Sequence, residues 1–216
     1  MTDIPLTSLL GRSLNDVELK FAPERIFCNG PMKIPLPHRK ISIIGSRMAS
    51  EQGLLDAKKI SKILTENNII IVSGLAKGID TAAHQTAIKC RGSTIAVIGT
   101  PLNKIYPKEN STLQEEIAKN HLLVSQYPPD HTTTPKDFVL RNKTMALISD
   151  ATVIIEAKDS SGTLSHGYET LRLGRPLFFC KSIKHDKLTW PQKMTQYGAI
   201  ELDEPFDILE HLPDII

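Results

Sequence analysis

Two stretches decide the fold: Ile41-Ser42-Ile43-Ile44-Gly45-Ser46-Arg47, and further on Ile69-Ile70-Ile71-Val72-Ser73-Gly74-Leu75-Ala76-Lys77-Gly78-Ile79-Asp80. Each is a short β-branched run that ends in glycine and a small hydroxyl, as a buried strand that turns directly into a helix requires. Between them, Ser50 to Asn67 repeats apolar residues at helical spacing, Leu54, Ala57, Ile60 and Leu64, while Lys58, Lys59 and Lys62 fall on another face. Strand, helix, strand in that order is the βαβ unit of a parallel sheet covered on both sides.

The same alternation continues outward. Strands are expected at Ile41 to Ile44, Ile69 to Ser73, Thr94 to Ile98, Leu122 to Ser125, Thr152 to Glu156 and Leu177 to Cys180. The fold class is therefore α/β, three layers, with a mostly parallel sheet of about six or more strands. Pro5, Pro23, Pro31, Pro35 and Pro37 interrupt the opening segment, so 1–37 is expected as an extended lead-in packed on a single main domain, 38–216. After Trp190 there is room for a short helix, an edge strand at Ala199 to Leu202 and a last turn around Phe206 to Leu212.

Composition narrows the class. The 216 residues are 40% hydrophobic with a formal net charge of +2, far from the basicity that by itself announces a nucleic-acid binder. Apolar runs are much shorter than the roughly 20 residues a membrane span needs. Met1 to Leu10 has no secretory pattern, which points to a cytoplasmic protein. Cys28, Cys90 and Cys180 are odd in number and widely spaced, so they are expected as structural thiols rather than as a disulfide framework or a metal site.

In parallel α/β sheets ligands sit beyond the carboxyl ends of strands. Three loops there are rich in glycine and hydroxyls: Gly45-Ser46-Arg47, Ser73-Gly74 through Lys77-Gly78, and Ser160-Ser161-Gly162-Thr163. Each leads into a helix, where free N–H groups and the positive helix end favour a phosphate. Neither G-x-G-x-x-G after the first strand nor G-x-x-x-x-G-K-[ST] is present, so NAD and ATP are not expected and no cofactor is implied. A further stretch, Lys136 with Phe138, Arg141, Asn142 and Lys143, puts one aromatic among several cations, the minimum needed to hold a nucleic-acid strand.

These residues carry a resemblance. Gly45-Ser46-Arg47, Ser73-Gly74-Leu75-Ala76 with Gly78-Ile79-Asp80 and Ala83-His84, Tyr106-Pro107 with Glu109-Asn110, Phe138 with Arg141-Asn142, Glu156-Ala157, Ser161-Gly162 and Gly174-Arg175-Pro176 follow the order and spacing of the DNA-processing protein A (DprA, or Smf) family. The resemblance covers roughly Phe21 to Cys180. It implies a Rossmann-like domain that binds single-stranded DNA, works as a homodimer and hands the strand to the RecA recombinase during DNA uptake and transformation, with no catalytic step. Carried over, Arg47, Phe138 and Arg141 line the DNA pocket, with Asn142, Lys143 and Lys108 contributing. Asp80 and His84 are expected in structural roles, Asn110 as a cap on the helix that begins at Ser111, with Tyr106 packed beside it.

The chain departs from the family's usual pattern at Lys143, where Arg is common, at Ser165-His166, where Thr-Ala is common, and at Lys181-Ser182, where Val-Pro-Gly is common. The cluster from Lys181 to Lys187 reads as solvated surface. Two other functions use the same loops. One is a sensor for a small nucleotide. The other is a phosphoribohydrolase of the Lonely Guy type, whose Pro-Gly-Gly-x-Gly-Thr-x-x-Glu segment, aligned on Gly162-Thr163, places Lys158-Asp159-Ser160 over its first three positions and His166 over its glutamate. A histidine does not replace a carboxylate that stabilises positive charge on a sugar, and His166 reads instead as a capping or surface group.

Overall fold

The short β-branched runs form strands because both of their faces are covered, and their side chains alternate between two cores. The computed structural model describes residues 1–36, 39–181 and 188–212. In chain order the elements are β1 (Thr2–Pro5), α1 (Leu6–Leu10), α2 (Asp16–Leu19), β2 (Arg25–Asn29), β3 (Lys40–Gly45), α3 (Glu51–Glu66), β4 (Ile70–Ser73), α4 (Ile79–Lys89) and β5 (Thr94–Ile98). After a 3₁₀ turn at Lys108–Asn110 come α5 (Ser111–Asn120), β6 (Leu122–Ser125), α6 (Pro135–Ile148), β7 (Ala151–Glu156), α7 (Thr163–Arg172), β8 (Leu177–Cys180), α8 (Trp190–Gln196), β9 (Ile200–Leu202) and α9 (Ile208–His211).

The nine strands among the described residues share one sheet, ordered β1-β2-β6-β5-β4-β3-β7-β8-β9. Pairing is parallel from β6 through to β9. Ile44, Val72, Val97, Val124, Ile154 and Phe179 point to one face, where Met145 and Leu147 of α6, Leu164 of α7 and Trp190 of α8 cover them. Their neighbours Ile43, Ile71 and Val153 point to the other, against Ala57, Ile60 and Leu64 of α3 and Ile79 and Ala83 of α4. The stripe expected along Ser50 to Asn67 is thus the buried face of α3. It begins at Ser50, whose Oγ accepts from the Gly53 amide at 3.1 Å.

The opening segment departs from an extended lead-in. β1 and β2 pair antiparallel with each other, and β2 pairs antiparallel with β6, so the segment extends the sheet. The prolines fit because they stand at strand ends and turns: Pro5 closes β1, and Pro31 and Pro35 fall after β2. Two short helices link the strands, and α2 opens with a capping box in which the Asn15 side chain accepts from the Glu18 amide while the Glu18 carboxylate accepts from the Asn15 amide.

The crossover direction reverses at β3: from there the chain builds toward β6 on one side, then returns to lay β7, β8 and β9 on the other. A doubly wound sheet opens a crevice at that reversal, beyond the carboxyl ends of the two strands. Here these are β3 and β7, and the segments that follow them are Ser46–Arg47 and Ala157–Gly162.

Candidate nucleic-acid interface

Glu156, the last residue of β7, ties the two sides of the reversal together. Its carboxylate accepts from the Ser50 amide at 3.0 Å and the Ser50 hydroxyl at 2.6 Å, fixing the start of α3 against the end of β7. A Cβ at Gly53 would stand 2.5 Å from that carboxylate, so a larger residue there would have to displace the Glu156 side chain from Ser50. Beyond this tie lies a crevice of about 580 Å³. Gly45, Ser46 and Arg47 form one wall, Ser161, Gly162 and Thr163 the facing wall, and Phe138, Arg141 and Asn142 of α6 approach from the side.

Arg47 is exposed, and its guanidinium has no hydrogen-bond or ion-pair partner among the described residues. Much of the loops' own hydrogen bonding is internal: the Met48 amide donates to Ser46 Oγ, the Thr163 amide to Ser161 Oγ, and the Thr163 hydroxyl to the Gly45 carbonyl at 3.3 Å. The amides of Arg47 and Gly162, one from each wall, have no acceptor among the described residues. Lys158, exposed in the loop after β7, adds a second exposed cation to the lining. Sequence reasoning passes over it because a lysine in a loop is usually only solvated; its place directly after β7 is the signal that marks it.

Phe138 reaches the crevice because α6 starts where it does. Pro135 occupies the first turn, and the Thr134–Asp137 capping box fixes the helix origin. The ring lies on Gly99, where a Cβ would sit 2.6 Å from Phe138 Cδ1, and it meets Tyr106 with ring centroids 5.2 Å apart and planes tilted by 49°. Tyr106, expected beside Asn110, thus joins Phe138 in an aromatic pair on the crevice lining.

Arg141 is in the crevice lining, where it was expected, but its guanidinium is engaged by the protein itself. Only 5% of it is exposed, and its Nη1 donates to the carbonyls of Gly74 and Val97, each at 2.6 Å. Its Nε donates to Asn142 Oδ1 at 3.0 Å, and Asn142 in turn donates to the Gly162 carbonyl. Burial holds the Arg141 pKa below its ordinary value, opposed by the nearby carboxylate of Asp80. Arg141 therefore braces the crevice floor by joining α6 to the loop after β4 and to β5. Phe138 and Arg141 share one face of α6, three positions apart, and differ in depth: the guanidinium is held by the Gly74 and Val97 carbonyls, while the ring lies over Gly99.

The loop after β4 also has a different task from the one expected. The Asp80 carboxylate accepts from the Gly74 and Ala76 amides, both at 3.2 Å, so these are not open to an anion. Asn110 does not cap α5; its Nδ2 donates to the Leu75 carbonyl and to Thr81 Oγ1, both at 2.9 Å, and locks the loop. Gly74 leaves room for Arg141 Nη1, which a Cβ would approach to 2.5 Å. Gly78, at φ +76°, packs under the Ser46 carbonyl. The Ser73 hydroxyl donates to the Ile43 carbonyl at 2.6 Å, and Lys77 pairs with Glu109. These four expected phosphate ligands, Ser73, Gly74, Lys77 and Gly78, lie behind or beside the crevice, not in its lining.

Lys108, on the 3₁₀ turn, and Lys136, in the first turn of α6, are exposed and also outside the lining. Lys143 points away from it: its Nζ stands 3.1 Å from the centroid of Phe21. His166 is neither a cap nor a surface group. It is fully buried beneath α7, with Nε2 hydrogen-bonded to Thr152 Oγ1 at 3.0 Å, and burial pushes its pKa down to about 3. His84 is buried likewise, with Nδ1 on Thr94 Oγ1 at 2.7 Å. Lys181 pairs with Asp203 at 2.6 Å, and the remainder of the Lys181 to Lys187 cluster lies outside the described residues.

Comparison with known proteins agrees with this architecture. The family model for DNA recombination-mediator protein A matches residues 12–213. The chain is similar to DNA processing protein DprA of Bacillus subtilis, at 34% identity over 193 residues, covering 89% of this chain and 65% of that protein. It is 41% identical over 163 residues to DprA of Streptococcus pneumoniae, covering 74% and 56%. It thus spans just under two thirds, or less, of these curated relatives' length. The X-ray structure of the Streptococcus pneumoniae protein superposes with a TM-score of 0.84 at 33% identity, covering 99% of this chain and 75% of that one. A Helicobacter pylori DNA processing protein A structure, described by its single-stranded DNA binding mode, superposes with a TM-score of 0.79 at 26% identity, covering 93% of both. Sheet order, crevice and family match converge: the chain belongs to the DNA recombination-mediator protein A family.

Proposed function

We propose that this chain binds single-stranded DNA in the crevice between β3 and β7, without catalysing a covalent step. The observation that carries this reading is the pairing, in one crevice, of an unpartnered guanidinium, Arg47, with the Phe138–Tyr106 aromatic pair. A guanidinium takes a phosphate bidentately, the Arg47 and Gly162 amides supply further donors, and a ring stacks on any base because every base has a π-face. Lys158 extends the cationic lining, and Lys108 and Lys136 stand outside it where a longer strand passes.

Non-catalytic binding is supported by what the crevice's titratable groups already do. Asp80 is taken up by loop amides, and His166 sits beneath α7 on Thr152. His166 in particular cannot serve a sugar cation as the hydrolase glutamate would, since it is buried and holds no negative charge. Transfer of the strand to RecA during DNA uptake, and a homodimer as the working unit, are part of the same proposal, for which the family resemblance is the support. Among the described residues no helix is long and apolar enough to cross a membrane.

The test is fluorescence anisotropy of a labelled single-stranded oligonucleotide with unlabelled duplex as competitor. Binding that duplex fails to displace supports the proposal. Absence of binding at low salt sinks it and favours a small-nucleotide sensor in the same crevice.

A further inference from the structure

Outside the crevice, three cations gather on one half-buried ring. Lys143 Nζ lies 3.1 Å from the Phe21 centroid, Arg172 Cζ 5.1 Å and Lys20 Nζ 5.4 Å. The three come from different elements: Lys143 from α6, Arg172 from the end of α7, and Lys20 from the turn after α2. Arg172 is satisfied, since it holds the Glu169 carboxylate at 2.5 and 3.0 Å and donates to the Val17 carbonyl at 2.7 Å. A second carboxylate nearby, Glu18, is taken by Arg12 and Arg175. Lys20 and Lys143 are left with no carboxylate partner among the described residues. An aromatic face holds a cation by about 0.5–1 kcal/mol when exposed, and it does nothing to relieve repulsion between cations that share it.

Such a group is complete only with an anion. Glu169 returns one of the three charges, leaving an excess of two over the ring. Lys143 follows Asn142 in the chain, and Asn142 lines the crevice. From Phe138 to Lys143 the rise along α6 is only about 7.5 Å. We propose that the Phe21 platform is a second phosphate-binding subsite, taking phosphodiesters of a single strand that leaves the crevice along α6. This inference rests on the crevice binding the strand, and it extends the path beyond the residues that make that crevice. It also gives Lys143 a task distinct from the one its place beside Arg141 and Asn142 suggested.

The experiment compares two oligothymidylates, one of about four residues, enough for the crevice alone, and one of about twenty. Each is titrated over a range of salt against the intact chain and against the Lys20→Gln/Lys143→Gln double variant, with thermal unfolding as the check on folding. The expected result is unchanged binding of the short strand. For the long strand, the slope of log K against log salt should become shallower by about 1.4, because two phosphates are no longer neutralised and each accounts for about 0.7. Equal weakening for both lengths would assign the lysines to the crevice and overturn the second subsite, as would an unchanged long-strand slope. If the intact chain binds neither length, the crevice reading fails first and this one with it.

Discussion

Phe138 and Arg141 stand three positions apart on one face of α6, yet the ring lines the crevice while the guanidinium is held by carbonyls in the floor beneath it. Both were legible as a cluster; their separate tasks were not, because side-chain direction depends on which neighbour occupies each face. Their substitutions should differ accordingly. Phe138→Ala should weaken single-strand binding by about 1 to 3 kcal/mol with little change in unfolding temperature; a loss of folding instead would make the ring a core residue. Arg141→Met should leave the Gly74 and Val97 carbonyls unpaired and lower stability in urea by about 3 kcal/mol. Normal stability with reduced DNA affinity would show that Arg141 touches the strand directly. Asn110 and His166 teach the same lesson, since a cap and a surface histidine were reasonable expectations for their chain positions. Tertiary packing instead gave Asn110 a loop to lock and His166 a threonine beneath α7.

Among elements, the strands of the parallel core were readable because fully buried strands must be apolar on both faces, and their boundaries fall within a residue or so of those expected. β1 and β2 were hidden by their prolines and by pairing antiparallel with distant partners, which no local pattern reveals. Besides the apolar side chains it buries, this opening segment is tied down by an ion-pair junction: Glu18, almost fully buried, joins Arg12 at 2.6 Å and Arg175 at 2.8 Å. Arg175 also donates to the carbonyls of Ala146, Leu147 and Ser149 at the end of α6. The two guanidinium groups, Arg12 foremost, hold the Glu18 carboxyl down at about 2. Glu18→Gln should therefore cost about 3 kcal/mol, since it leaves a mostly buried Arg175 without its counter-charge. Amide exchange in β1 and β2 should quicken; exchange confined to its original rate would show that the segment is held by apolar packing alone.

At the scale of the molecule, the doubly wound sheet determines where a ligand can sit; that it sits beyond the strand ends followed from the alternation of strands and helices and from the three loops, while the reversal between β3 and β7 came from the sheet order. The structure narrows the three loops to two, because the loop after β4 spends its amides on Asp80. Burial of two histidines also sets a pH response for the whole fold. His84 and His166 are both pushed down to about 3 from an ordinary value near 6.5, burial being the main cause. Between those values the unfolded chain binds protons that the folded chain does not, so stability is complete above about pH 6.5 and falls as pH drops. The slope should approach about 1.4 kcal/mol per pH unit for each histidine. Urea unfolding at pH 7.5 and pH 5 should show this decrease, and His166→Asn should remove part of it; a flat profile would mean the histidines are solvated. The central claim is that the strand's phosphates meet Arg47 in the crevice between β3 and β7. Its most direct test is the salt dependence of single-strand binding for the intact chain and for Arg47→Ala, measured by anisotropy. The expected result is weaker binding on every base sequence and a log–log salt slope shallower by about 0.7, the share of a single neutralised phosphate. An unchanged affinity and slope would contradict the claim and place the strand elsewhere on the protein.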